Sequence, residues 1–317
     1  MELSIVIPVY NEEENIEPLV SELTTVLSRL QQTYEIVIVD DGSRDGTFAK
    51  LRVLLAQRPE LTIMRLKRNF GQTAAVAAGL AHASGETVIL MDGDTQNDPA
   101  DIPAMLAKLA EGNDLVAGWR FNRQDPFLNR RLPSMIANRL ISWITQVKLH
   151  DYGCTLKVMR RTVAKDLRLY GEMHRFIPAL AYERGAQIAE LKVNHRPRLR
   201  GQTKYGISRT LRVILDLLTV KFLNTYSTRP AHVFGPIGIV SGVVGFVLCL
   251  HLTIQKFVYE VDIGGRPLLL LAVLLIFIGF QFVTMGLLGE MLARTYHESQ
   301  DRPVYVIGEV LPEKGKV

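Results

Sequence analysis

The chain is predicted to be an α/β protein with a mostly parallel sheet, followed by two membrane-spanning helices. Continuous apolar, β-branched runs alternate with helix-periodic segments through the first half. Acidic clusters follow those runs at the positions where strands of such a sheet end. Two long apolar stretches occupy the second half, although only 22% of the 317 residues are charged, close to a soluble average. The positive mean hydropathy of +0.13 therefore reflects local concentration of apolar residues.

Residues 3–9 are apolar without alternation, as expected of a strand buried on both faces, and 35–39, 62–66 and 87–91 repeat the pattern. Residues 15–30 and 47–56 have helical spacing, and 73–83 form an alanine-rich helix. Alternation of this kind implies parallel strands with helices on both faces. Residues 127–147 place Arg130, Arg131 and Arg139 beside Leu132, Ile136, Leu140 and Trp143, a basic amphipathic helix suited to a membrane interface or to packing on its own domain. Residues 208–223, with Arg209, Arg212 and Lys221, carry the interfacial signature more strongly.

Residues 234–254 and 268–288 each run for 21 residues without Asp, Glu, Lys or Arg, about 30 Å of helix. His251 and Gln281 within them fit hairpin packing better than a site. The expected organisation is a catalytic domain over 1–205, an amphipathic juxtamembrane helix over 206–232, a two-span hairpin over 233–288 and a tail over 289–317. Arg209, Arg212, Lys221, Arg229, Arg294 and Arg302 flank one side of the hairpin, against Lys256 and Arg266 in its loop, which puts the catalytic domain in the cytoplasm.

Several classes are disfavoured. The start of the chain has neither a basic n-region nor a cleavage site of a signal peptide. Two cysteines, Cys154 and Cys249, do not make a disulfide framework or a thiolate zinc site. No G-x-G-x-x-G follows the first strand, and no G-x-x-x-x-G-K-[ST] occurs. The pI near 9.2 is better matched to anionic membrane lipid than to nucleic acid in a chain with basic residues beside apolar spans.

The first strand runs into Tyr10-Asn11-Glu12, the second into Asp40-Asp41-Gly42-Ser43 and the fourth into Asp92-Gly93-Asp94-Thr95-Gln96. Acids converging on one sheet edge repel one another unless a cation lies among them. Asp92 and Asp94, with the Gln96 amide oxygen, form an oxygen-only ligand set suited to Mg²⁺ or Mn²⁺. The stretch is not an EF-hand, since Asn97 and Pro103 stand where that loop needs Gly and Glu. Asp40, at a strand end, is placed to hydrogen-bond a base or ribose, while Ser43 or Asp45 caps the next helix.

The segments IVIPVYNE, IVDDGSRDGT, RNFGQ, MDGDTQNDP, HDYGCTLKVMRR and RLRGQTKY occur in the order and spacing of the family 2 glycosyltransferases that load sugars onto polyprenyl phosphates. The chain resembles dolichol-phosphate mannosyltransferases and their bacterial relatives over nearly its whole length, the undecaprenyl-phosphate 4-deoxy-4-formamido-L-arabinose transferases first and the glucosyl enzymes next. The resemblance implies a GT-A, Rossmann-like fold and inverting transfer from a nucleotide sugar, a UDP-sugar, to undecaprenyl phosphate at the bacterial inner membrane. It implies that Pro8, Tyr10, Glu12 and Asp40 surround the nucleoside and that Asp92, Asp94 and Gln96 hold the metal and diphosphate. Arg120, Arg130, Ser134, Arg198 and Lys204 match positions for the lipid phosphate, and Asp151 is a candidate base or sugar ligand. A homo-oligomer, in that family a tetramer, is also implied.

A phosphate monoester, with a second pKa of about 6, is largely dianionic at neutral pH, so the acceptor needs positioning more than a strong base. Two alternatives compete with this expectation. A membrane-tethered nucleotidyltransferase shares metal acids on an α/β fold, but Pro8-Val9-Tyr10-Asn11-Glu12 is a poor match for its Gly- and Arg-rich loop. A non-catalytic partner of a flippase keeps the hairpin but leaves Asp92, Asp94 and Gln96 without purpose.

Overall fold

The computed structural model describes residues 1–121, 142, 145, 147–169, 173–197, 231–260, 262–263, 266–299 and 304–312. The chain divides into two compact units, Met1–Leu218 with Pro303–Val317, and Thr219–Arg302.

The first unit is built on an eight-stranded sheet. Its strands are β1 (Leu3–Val9), β2 (Tyr34–Asp40), β3 (Leu61–Leu66), β4 (Thr87–Leu90), β5 (Leu115–Arg120), β6 (Lys157–Arg160), β7 (Ile188–Val193) and β8 (Ile307–Leu311), in spatial order 7-5-6-4-1-2-3-8. The pairs β1–β2, β1–β4, β2–β3 and β5–β7 are parallel, whereas β6 runs antiparallel to β4 and β5, and β8 antiparallel to β3. The carboxyl ends of six strands and the amino ends of β6 and β8 thus share one edge.

Local chemistry explains the framework. Every residue of β1 is buried, as its unbroken apolar run requires. Pro8 is tolerated in this central strand because the β4 ladder ends at Val6, two residues before the missing N–H. Helix α1 (Ile16–Leu27) buries Ile16, Leu19, Val20, Leu23 and Leu27, one helical face. Helix α2 (Thr47–Leu55) follows β2, and α3 (Gln72–His82) lies against β1 and β2 through alanines and Gly79, where a Cβ would stand 2.3 Å from Val6 Cγ1. Helices α4 (Ile102–Ala110), α5 (Arg161–Asp166) and α6 (Ile177–Glu183) also belong to the unit.

The second unit contains α7 (Ala231–Val258) and α8 (Pro267–Ser299), long and apolar enough to cross a membrane over Phe234–Val258 and Pro267–Gly289. Large apolar side chains such as Phe246, Phe277 and Phe280 face outward, as lipid-facing surfaces do. The helices meet backbone to backbone, since a Cβ on Gly279 would lie 2.6 Å from the Gly238 carbonyl oxygen and 2.7 Å from the Gly242 nitrogen.

Two expectations need revision. Both helices outrun the expected spans, so the connecting loop is shorter than 255–267. Residues 289–317 are not a simple tail, because α8 continues to Ser299 and Ile307–Leu311 supplies β8, satisfying the open edge of β3. The expected helix over 208–223 lies outside the described residues, as does 127–147 except for Ser142, Thr145 and Val147, and 206–232 except for Ala231 and His232 at the start of α7.

Candidate active site

The site is assembled where the strands end. Asp40 closes β2 fully buried, with Oδ1 accepting the Ser43 amide at 2.9 Å. Its Oδ2 lies 3.4 Å from Arg65 Nε but accepts no hydrogen bond among the described residues, so a buried carboxylate oxygen is left with spare accepting capacity. Pro8 is buried in β1, and Tyr10 and Glu12 follow it half-buried. The Glu12 carboxylate accepts Asn15 Nδ2 at 2.6 Å, while its amide donates to Thr47 Oγ1 at 2.9 Å, fixing the β1 exit against α2.

Asp41 organises the next loop by accepting the Phe70 and Gly71 amides at 2.7 and 2.9 Å. Burial raises its carboxyl above the usual range even so. Gly42, at φ +68°, passes so close to Arg68 that a Cβ would be 2.6 Å from its carbonyl carbon. The loop delivers Gln72 at the start of α3, and Gln72 Nε2 donates to Asp92 Oδ1 at 2.8 Å. Thr155 Oγ1, arriving just before β6, donates to Asp92 Oδ2. Both oxygens of Asp92 are thereby oriented by neutral donors.

Burial first, and the charge of Asp94 second, push the Asp92 carboxyl above the ordinary aspartate range. A divalent cation beside the pair reverses both effects, and carboxylates retain lone pairs after one hydrogen bond per oxygen. Asp94 Oδ1 accepts the Gln96 amide at 3.2 Å, and Gln96 Nε2 donates to the Arg196 carbonyl at 3.4 Å, which leaves Oε1 as its ligand atom. The donor set fits Mg²⁺ or Mn²⁺, ions that complete octahedral coordination with water or phosphate oxygens. Among the described residues no cluster of three His, Cys, Asp or Glu offers a fuller protein cage.

Across the edge, Arg120 at the end of β5 donates from Nε and Nη2 to the two oxygens of Asp151, at 2.6 and 2.9 Å. The Asp151 side chain is 4% exposed, and Gly153 adds an amide at 3.1 Å. Glu190 of β7 accepts the His150 and Asp151 amides at 2.9 and 3.1 Å and pins that segment. In this arrangement the Asp151 carboxylate is bound bidentately by the Arg120 guanidinium, and the pair orients both side chains. Lys157 is buried beneath, donating to the Cys154 carbonyl, with its ammonium pKa lowered by burial. The Cys154 thiol is pushed up to about 11 by burial and is unreactive packing. His150 stacks on Trp119, and His174 meets Thr73 Oγ1 at 2.7 Å.

The structure brings Pro8, Tyr10, Glu12, Asp40, Asp92, Asp94, Gln96, Arg120 and Asp151 to this edge. Arg130, Ser134, Arg198 and Lys204 lie outside the described residues. The sequence patterns did not single out Gln72, Thr155, Lys157, Glu190 or Arg196. Gln72 and Thr155 stood inside quoted motifs, but their pairing with Asp92 spans 20 and 63 residues.

Residues 4–168 match the model of glycosyl transferase family 2. The chain belongs to that family. This family 2 glycosyltransferase is 44% identical over its whole length, and 95% of the relative's, to a dodecaprenyl-phosphate galacturonate synthase of Rhizobium johnstonii. It is 38% identical, over 98% of its length and 92% of the relative's, to an undecaprenyl-phosphate 4-deoxy-4-formamido-L-arabinose transferase of Shewanella sediminis. Its GT-A fold is shared with glucosyl-3-phosphoglycerate synthase of Mycobacterium tuberculosis, solved with Mn²⁺, UDP and phosphoglyceric acid, at TM-score 0.55 and 19% identity over 69% of this chain and 78% of that one.

Proposed function

We propose that this glycosyltransferase carries a sugar from a UDP-sugar to undecaprenyl phosphate at the cytoplasmic face of a bacterial inner membrane, with inversion at the anomeric carbon. The observation that carries the proposal is the Asp92–Asp94 pair held by Gln72 and Thr155 beside the strand-end Asp40, in a chain that aligns end to end with polyprenyl-phosphate sugar transferases. A phosphate oxygen of the acceptor attacks C1 as the bond from C1 to the diphosphate oxygen breaks, and the diphosphate departs with the electron pair. Mg²⁺ or Mn²⁺, when bound, neutralises charge on the departing diphosphate.

The residues supply the rest. Asp40 offers Oδ2, which accepts no hydrogen bond among the described residues, to an N–H or O–H of the nucleoside, with Pro8, Tyr10 and Glu12 forming the wall. Asp94 and Gln96 hold the metal, and Asp92 completes that side. Asp151 holds Arg120 so that its remaining N–H groups serve the acceptor phosphate, together with Arg130, Ser134, Arg198 and Lys204. Two apolar helices keep the domain at the bilayer in which the acceptor is dissolved.

The galacturonate name of the 44% relative makes UDP-galacturonate the first donor to assay, with UDP-4-deoxy-4-formamido-L-arabinose the second. The test is transfer of labelled sugar from each donor into the organic phase by the full chain with undecaprenyl phosphate, in Mn²⁺ or Mg²⁺ against EDTA. Metal-dependent product is expected, and Asp94→Ala should lose at least about 100-fold in rate while remaining folded. Wild-type turnover by that variant would remove Asp94 from the metal side. Product undiminished by EDTA would overturn metal dependence.

A further inference from the structure

The segment that carries Asp94 and Gln96 is held only in part by its own hydrogen bonds, from the Asp92 amide to Asn97 Oδ1 and from the Gln96 amide to Asp94 Oδ1. Thr95 sits at φ +60°, in the left-handed region that a β-branched residue rarely adopts, so the turn needs outside contacts to persist. Gln72 and Thr155 hold Asp92 at its start, and the contacts beyond Asp94 come from the chain leaving β7. The Arg196 amide donates to the Gln96 carbonyl at 3.0 Å, Gln96 Nε2 returns to the Arg196 carbonyl at 3.4 Å, and Asn97 and His195 form an antiparallel bridge. One residue earlier, Asn194 donates from Nδ2 to Asp98 at 2.9 Å and from its amide to Asp101 at 2.7 Å.

Arg196 locks this junction. Its Nη1 and Nη2 fork onto Glu22 of α1 at 2.9 and 2.7 Å, and Nη2 also reaches Asp98 Oδ1 at 2.7 Å. An isolated ion pair this exposed, with 32% of the arginine side chain accessible, contributes little. Here one planar fork bridges two carboxylates on separate elements while its own backbone grips a third point, and that geometry is specific to arginine. Asp98 in turn caps the following turn by accepting the Ala100 amide at 3.0 Å, and Asn97 Oδ1 accepts the Asp92 amide at 3.0 Å. The clamp therefore reaches the backbone on both sides of Asp94.

We propose that Arg196 is a positioning residue: bridging Glu22 and Asp98 while its backbone pairs with Gln96, it fixes the Asp92–Asp98 segment in the conformation that receives the metal and diphosphate of the donor. The inference deepens the transfer reaction proposed above and rests on it. It concerns ordering of the ligand-free segment as well as turnover, so the two can fail separately.

The test compares the full-length wild type with Arg196→Ala and Arg196→Lys. In hydrogen–deuterium exchange without ligand, Arg196→Ala should speed exchange across 92–101 and leave the peptides of β1, β2 and β3 unchanged. In the transfer assay it should raise the donor KM and the half-saturating Mn²⁺ concentration about tenfold, with kcat altered less than about threefold. Arg196→Lys, which keeps the charge without the fork, should fall between. Unchanged exchange over 92–101, exchange faster everywhere, or a lowered kcat at unchanged donor KM would each overturn the assignment. A wild type that makes no product with any donor would count against the transfer reaction, and the exchange comparison would still decide the clamp.

Discussion

Glu35 lies in β2 at the opposite end of the sheet from the site, and its carboxylate accepts Ser4 Oγ at 2.5 Å and the Ser84 amide and hydroxyl at 2.7 and 2.8 Å. Burial pushes its pKa up, yet those hydrogen bonds outweigh it and hold the group below its ordinary 4.5. A carboxyl depressed on folding stabilises the fold above its unfolded pKa and loses that contribution as pH falls through the folded value. Urea unfolding followed from neutral pH down past 4.5 should show an acid-sensitive loss that Glu35→Gln flattens. An identical slope in the variant would show that the three hydrogen bonds do not couple to titration. Chemistry of this kind was only partly legible in the sequence. Asp92 and Asp94 were conspicuous because two acids right after a buried strand have no structural reason to be there. Gln72, Glu190 and Arg196 were not, because a neutral amide or a lone charge becomes meaningful only when folding brings a distant partner within 3 Å.

At the level of elements, β1 to β4 and α1 to α3 could be read directly, since continuous apolar runs and helical spacing state the same fold twice. The strands β5 to β8 could not. Lys157-Val158-Met159-Arg160 begins and ends on a cation, and β8 carries Gly308 and Glu309, so neither resembles a buried strand until its neighbours are known. The two apolar helices were legible as helices long enough to cross a bilayer, but the way they meet was not. The contact of Gly279 with Gly238 and Gly242 predicts that Gly279→Ala strains the pair, whereas Gly242→Ala is tolerated because its own Cβ direction is open. The cost of forcing a methyl into the contact is about 1–3 kcal/mol. Thermal unfolding in detergent should separate the two variants, and equal midpoints would sink the backbone-contact account.

Over the whole molecule, β8 has a consequence for how the chain can be threaded through a bilayer. β1 and β8 belong to one sheet, and a sheet cannot have strands on both sides of a membrane, so everything between them that crosses must cross an even number of times. The parity of the topology is thus set by a ladder of hydrogen bonds between β3 and β8, independently of any count of basic residues. Single cysteines introduced as Ser28→Cys after α1 and Glu309→Cys in β8 should be labelled by an impermeant thiol reagent from the same face, and Glu260→Cys between α7 and α8 from the other. Opposite faces for the first two would mean that the sheet itself is wrong. A chain from which one of the two helices is deleted must keep the other from crossing as well, or give up β8 and leave the β3 edge bare.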